Sequence, residues 1–159
     1  MTPSMAGPSS PTSLKGWTMA AGVLSLLAAM VHGIVTPEHL AEWWGYGAFF
    51  IVAAVAQALY AMILFSIRDP LQLPPRSYTY RQWHGLIDGL LIAGILGNLA
   101  IIALYIVTRT VGIPSFGPEA GEVEPIGRYD VASKTFELGL IVCLAYLWFQ
   151  VRAARDPTA

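Results

Sequence analysis

The chain has 159 residues, of which 55% are hydrophobic and only 12% charged, with a mean hydropathy of +0.57. Soluble domains carry about 25% charged residues, so this composition excludes a disordered chain and argues against an ordinary soluble globule. Nine Lys plus Arg against ten Asp plus Glu leave a net charge of −1, with no basic excess to attract nucleic acid or an anionic surface.

Residues 1–14 hold Pro3, Pro8, Pro11 and Ser4, Ser9, Ser10, Ser13, with no charge before Lys15. They read as a flexible polar tail. Four apolar segments follow, at about 17–35, 41–67, 84–108 and 131–153, within a single unit of 15–154, and 155–159 form a short tail. About 20 helical residues cross the roughly 30 Å hydrocarbon layer, and each segment reaches that length. Backbone groups in lipid must pair within their own segment, so the segments are helices. The fold class expected is all-α, a four-transmembrane-helix bundle with a long extracytoplasmic loop between helices three and four. A soluble bundle would need a polar face on each helix, and Ala48 to Phe65 offers only Gln57 and Tyr60. The first segment, with Lys15 ahead of it and the small pair Ala28 and Ala29 within it, loosely fits a signal peptide. Its apolar run is longer than an h-region, so it reads as a retained helix.

The first connector contains Thr36-Pro37-Glu38-His39. Thr36 fits an N-cap and Pro37 a first helical position, so the second helix is expected to open at Pro37 with an amphipathic turn ahead of its apolar body. His32 lies about one turn inside the end of the first helix. Glu38, His39 and Glu42 share a face by their spacing of three and four. Glu137 lies about 9 Å past the start of the fourth helix, at the depth of His32 if helices one and four are neighbours. Two imidazoles with several carboxylates suit a divalent metal, so His32, His39, Glu38, Glu42 and Glu137 form a candidate metal set, the ion being divalent or copper. In the competing reading Glu38, His39 and Glu42 are a solvated interfacial turn and His32 bonds a backbone carbonyl. Haem is disfavoured, because His32 and His84 lie near opposite surfaces, about 20 Å or more apart.

The intramembrane polar residues are Gln57, His84, Asp88 and Asn98. Gln57 and Asn98 read as interhelical hydrogen-bonding glue or, with Ser25, as the lining of a narrow path. His84 and Asp88, four apart, read as an oriented pair at the inner end of helix three or as a helix-terminal acid beside an interfacial histidine. Gly85 and Gly89, with Gly94 and Gly97, form a small-residue stripe that fits the bundle itself or a partner helix, the bundle being the favoured reading. The loop 108–130 contains Gly112, Pro114, Gly117, Pro118, Gly121, Pro125 and Gly127, with Arg109 and Arg128 flanking Glu119, Glu122 and Glu124. It reads as an ordered cap, a docking surface or a self-neutralising solvated loop. Cys143, the lone cysteine, reads as apolar packing.

Lys and Arg favour the cytoplasmic side. Lys15, Arg68, Arg76, Arg81, Arg152 and Arg155 outnumber Arg109, Arg128 and Lys134, which puts both termini in the cytoplasm and loops one and three outside. Trp17, Trp43, Trp44, Trp83 and Trp148 fall near helix ends, as an aromatic belt requires.

Glu38-His39-Leu40-Ala41-Glu42-Trp43-Trp44-Gly45-Tyr46-Gly47 together with Arg109-Thr110-Val111-Gly112-Ile113-Pro114 resembles small bacterial four-helix multi-pass membrane proteins. The resemblance implies the fold and the bacterial inner membrane and brings no functional residue with it. No Ser–His–Asp set, phosphate loop or dinucleotide fingerprint is visible. The first functional expectation is a non-enzymatic accessory or docking subunit, its partners being the lipid bilayer and other membrane subunits or a periplasmic protein. A metal-handling or redox protein is the alternative. A proton or small-solute conduit through Gln57, Asp88, Asn98 and Glu137 is the third reading.

Overall fold

A computed structural model describes residues 11–69, 71, 78–113, 115 and 117–153. Four α-helices account for most of them: α1 (Pro11–Glu42), α2 (Trp44–Ile67), α3 (Tyr78–Thr110) and α4 (Arg128–Ala153). Each is long and apolar enough to cross a membrane. Helix α1 packs against α2 and α4, and α3 against α4. The tail of residues 1–10, Arg76 and the terminal segment with Arg155 lie outside the described residues, as do the side chains of Arg81 and His84.

Three helix boundaries differ from the sequence expectation: α1 opens at Pro11, inside the segment expected to be a flexible tail, α3 opens at Tyr78 ahead of residue 84, and the end of α1 moves as well. Helix α1 runs through Pro37 to Glu42 instead of ending before it. A proline removes one N–H and crowds the carbonyl four residues back, here that of Gly33. The flanking turns are nevertheless held: Val31 and Val35 are buried, and the Thr36 hydroxyl donates to the His32 carbonyl at 2.8 Å. The chain breaks instead at Trp43, which is extended (φ −164°, ψ 138°) and has no side-chain cap. Its N–H still reaches His39 O at 3.0 Å, and its carbonyl receives the N–H groups of Tyr46 and Gly47 at 3.1 and 3.2 Å. Glu38, His39 and Glu42 therefore finish α1; they do not open α2.

Polarity runs opposite to that of a soluble bundle. Val52, Met62, Leu96, Val142 and Phe149 are all more than half exposed, whereas Thr18, Ser25, His32, Gln57, Asn98, Ser133 and Glu137 are buried. Buried residues of α1 include Thr18, Ala21, Ser25, Ala28, His32 and Val35, which share one face at helical spacing. Its small members let the neighbouring helices approach closely. The apolar core lies toward the end away from the long loop and is built from Leu64, Ile87, Leu91, Leu140, Leu144 and Leu147, with Cys143 among them. Hydroxyls without a tertiary partner bond their own helix four residues back, as Ser66 does to Met62 and Thr135 to Val131, which satisfies them without water.

Helix α3 meets α2 through Tyr60, whose hydroxyl donates to Leu90 O at 2.9 Å. The hydroxyl fits because residue 94 is glycine: a Cβ there would collide with it. Gly94 is thus the member of the small-residue stripe that serves the bundle. Among the described residues, nothing lies within contact distance of a Cβ at Gly85, Gly89 or Gly97, so these members of the stripe do not pack against the described bundle, contrary to the favoured expectation.

Candidate functional site

Apart from Thr18, the buried polar side chains join into one chain of polar contacts across all four helices. Asn98 Nδ2 donates to the carbonyl of Gly94 at 2.8 Å. A carbonyl can only accept, so Asn98 is oriented with Oδ1 outward, where it receives Gln57 Nε2 at 3.3 Å. Gln57 is then fixed with Oε1 toward Nδ1 of His32, at 2.8 Å, and Nδ1 must carry a proton. The Gln57 backbone is itself clamped by Ser25, whose hydroxyl donates to its carbonyl at 2.7 Å. On the far side of the imidazole, Nε2 faces Ser133 Oγ at 3.4 Å and Glu137 Oε1 at 3.5 Å. Ser133 donates to Glu137 Oε1 at 2.8 Å, and Lys134 pairs with the other carboxylate oxygen.

This places His32 and Glu137 together, as helices α1 and α4 are neighbours. Gln57 and Asn98 also join directly, and their chain ends on a backbone carbonyl instead of continuing across the bundle; they bind helices together. Ser133 and Lys134 complete the cluster. Sequence reasoning passed over them as site residues, although their spacing of four and three from Glu137 puts all of them on one helix face.

Above this cluster, at the end carrying the long loop, lies a cavity of about 460 Å³. Its apolar walls include Val31, Val35, Phe49, Phe50, Ile101 and Leu104. The Phe50 ring stands between two imidazoles, 4.1 Å from His39 and 5.8 Å from His32. His32, Ser133, Lys134 and Arg109 are among the polar residues that line it. Lys134 also stands 5.3 Å from the centre of the Tyr105 ring, a cation–π contact.

The loop closes part of this cavity through Ile113 and Glu124. Helix α3 ends with Val111 and Gly112 N–H both on Val107 O at 3.0 Å, and Gly112 turns left-handed at φ +69°. A Cβ at residue 112 would lie 2.5 Å from the Glu122 carbonyl, so glycine is needed both for the turn and for the space. Gly121 N–H returns to Ile113 O at 2.9 Å and Glu124 N–H to Thr108 O at 3.2 Å. Arg109 clamps both flanks, bonding Glu124 through one terminal nitrogen and Asp130 through the other at 2.9 Å. Asp130 additionally accepts Gly127 N–H at 2.8 Å. The Arg109 Nε is buried with no hydrogen-bond partner among the described residues. The described part of the loop is therefore tied to the bundle, as an ordered cap would be.

The candidate metal set is not assembled. His39 donates along its own helix to Val35 O, 2.9 Å away, and Glu38 and Glu42 are exposed. Because α1 continues past Pro37, these three extend up to about three turns beyond His32 and do not fold back toward Glu137. No group of three or more His, Cys, Asp and Glu that could hold a metal occurs among the described residues. Asp88 lies at the opposite end of α3, about 15 Å along the axis from Asn98, so it does not join the cluster. Glu119, Glu122 and Arg128 are exposed on the loop side, and Arg128 stacks on its neighbour Tyr129. No protein-family model, curated protein or solved structure matches the chain.

Proposed function

We propose that this protein is a small multi-pass membrane protein that binds a lipid-soluble, amphiphilic small molecule at the loop end of its bundle. The observation that carries this reading is the cavity of about 460 Å³. Ligand pockets are concave, mostly apolar and supplied with a few convergent polar groups, and this one combines apolar walls with His32, Ser133, Lys134 and Arg109. The buried chain through Gln57 and Asn98 holds the histidine in one orientation, as a binding site requires.

Mass spectrometry of organic extracts from protein purified out of native membranes tests the proposal. The wild type should retain a small molecule beyond bulk lipid, and Leu104→Trp, which fills the cavity from its wall, should lose it while keeping its helix content. Equal extracts from the two proteins would overturn the reading.

An accessory subunit of a larger membrane complex is the second reading. Gly85, Gly89 and Gly97 of α3, which do not pack against the described bundle, support it, because small residues let another membrane helix approach closely. Cross-linking from a Gly89→Cys variant in membranes should then trap a second subunit. A cross-link-free protein in its native membrane would remove this reading without touching the first.

A further inference from the structure

Resting on the binding reading of the cavity, we infer that its ligand is a phenol-class amphiphile whose hydroxyl donates a hydrogen bond to Nε2 of His32. The argument is one of proton count. The chain anchored on the Gly94 carbonyl commits the proton of the neutral imidazole to Nδ1, where Gln57 Oε1 accepts it. Nε2 is then a lone pair in need of a donor. Ser133 owns a single hydroxyl proton. Its 2.8 Å contact to Glu137 takes that proton ahead of the 3.4 Å approach to Nε2, since a bond to a carboxylate is both shorter and stronger. Glu137 offers only acceptors at 3.5 Å, and Lys134 is engaged on the far carboxylate oxygen. His32 and Ser133 both line the cavity, and the contacts of Nε2 to Ser133 at 3.4 Å and Glu137 at 3.5 Å are long, so an incoming O–H that reaches Nε2 is a better donor than the protein supplies.

The walls choose among hydroxyl compounds. Phe50 lies tilted against both imidazoles, and Phe49, Tyr105 and Tyr129 stand around the same space. Aromatic walls favour a flat ring in offset or edge contact. Val31, Val35, Ile101 and Leu104 leave room for an alkyl tail. Binding involves no bond cleavage: the phenol keeps its proton and shares it with Nε2.

The test compares para-hexylphenol with its methyl ether, para-hexylanisole, titrated calorimetrically into the full-length protein in nanodiscs, with empty nanodiscs correcting for lipid partition. The phenol should bind the wild type about tenfold more tightly, because the ether leaves a buried acceptor unpaired. In His32→Phe the preference should fall to about unity. Nitrogen NMR of the wild-type His32 ring gives a second readout that needs no variant: Nε2 should shift with the phenol and not with the ether. Equal affinities in the wild type would overturn the hydroxyl inference and leave the cavity reading standing. Binding of neither probe would overturn both. A tenfold preference surviving in His32→Phe, or an unmoved Nε2 resonance, would overturn the assignment to His32.

Discussion

Gln57 donates, accepts and is clamped at its backbone at the same time, and each contact comes from a different residue: Asn98, His32 and Ser25. Removing its amide leaves two buried partners unsatisfied, so Gln57→Leu should cost about 1–2 kcal/mol. In a double-mutant cycle it should couple to Asn98→Leu by about 0.6 kcal/mol, the scale found for hydrogen bonds between membrane helices. Reversible unfolding in mixed micelles measures both, and purely additive effects would show that the two amides do not communicate. Glu137 is fully buried beside the mostly buried Lys134. Taking one charge away strands the other, so Glu137→Leu should destabilise by about 3–5 kcal/mol, whereas Lys134→Leu/Glu137→Leu should recover most of the loss. The polar membership of this cluster was legible in the sequence, because a histidine, a glutamate and two amides in apolar helices have few other places to go. Its connectivity was not. Which amide faces which imidazole nitrogen depends on helix rotation, and composition carries no record of rotation.

At the level of the helices, the sequence signal failed where a local rule met a tertiary constraint. Thr36-Pro37 reads as a helix start, yet burial of Val31 and Val35 carries α1 through it. An interior proline costs up to about 3 kcal/mol. Pro37→Ala should therefore stabilise the protein by about 1–3 kcal/mol in the same unfolding assay, and a loss of stability would mean that the proline is needed for packing. The four spans themselves were readable, since twenty apolar residues have a single solution in lipid. The small-residue stripe on α3 was readable as a stripe, but among the described residues only Gly94 of it packs against the bundle, and spacing does not say whether a face turns inward. The end of α3 gives a sharper test. Gly112→Ala must hold a left-handed turn and push against the Glu122 carbonyl. It should cost at least about 1–2 kcal/mol locally and raise amide exchange across residues 112–124 while leaving that of α1 unchanged.

For the molecule as a whole, the long loop and the bundle are joined through Arg109, which bonds Glu124 and Asp130 together. Arg109→Ala should expose residues 117–127 to limited proteolysis and weaken retention of the cavity's ligand. Arg109→Lys should restore little of either, because an ammonium cannot span two carboxylates as a guanidinium fork does. Intact, slowly cleaved loops in both variants would show that the glycine turns alone hold the cap. The candidate metal set failed for a reason at this scale, since it required α1 to fold back on itself, and the helix instead runs on beyond the cluster. The directional wiring beneath the cavity leaves a genetic signature. Damage at Asn98 or Gln57 propagates toward the imidazole, so such alleles should share one phenotype and combine less than additively. Lesions at Glu137 enter from the opposite side and should compound with them. Epistasis among these positions is therefore ordered along the wire, anchored at a peptide oxygen and open at the ring.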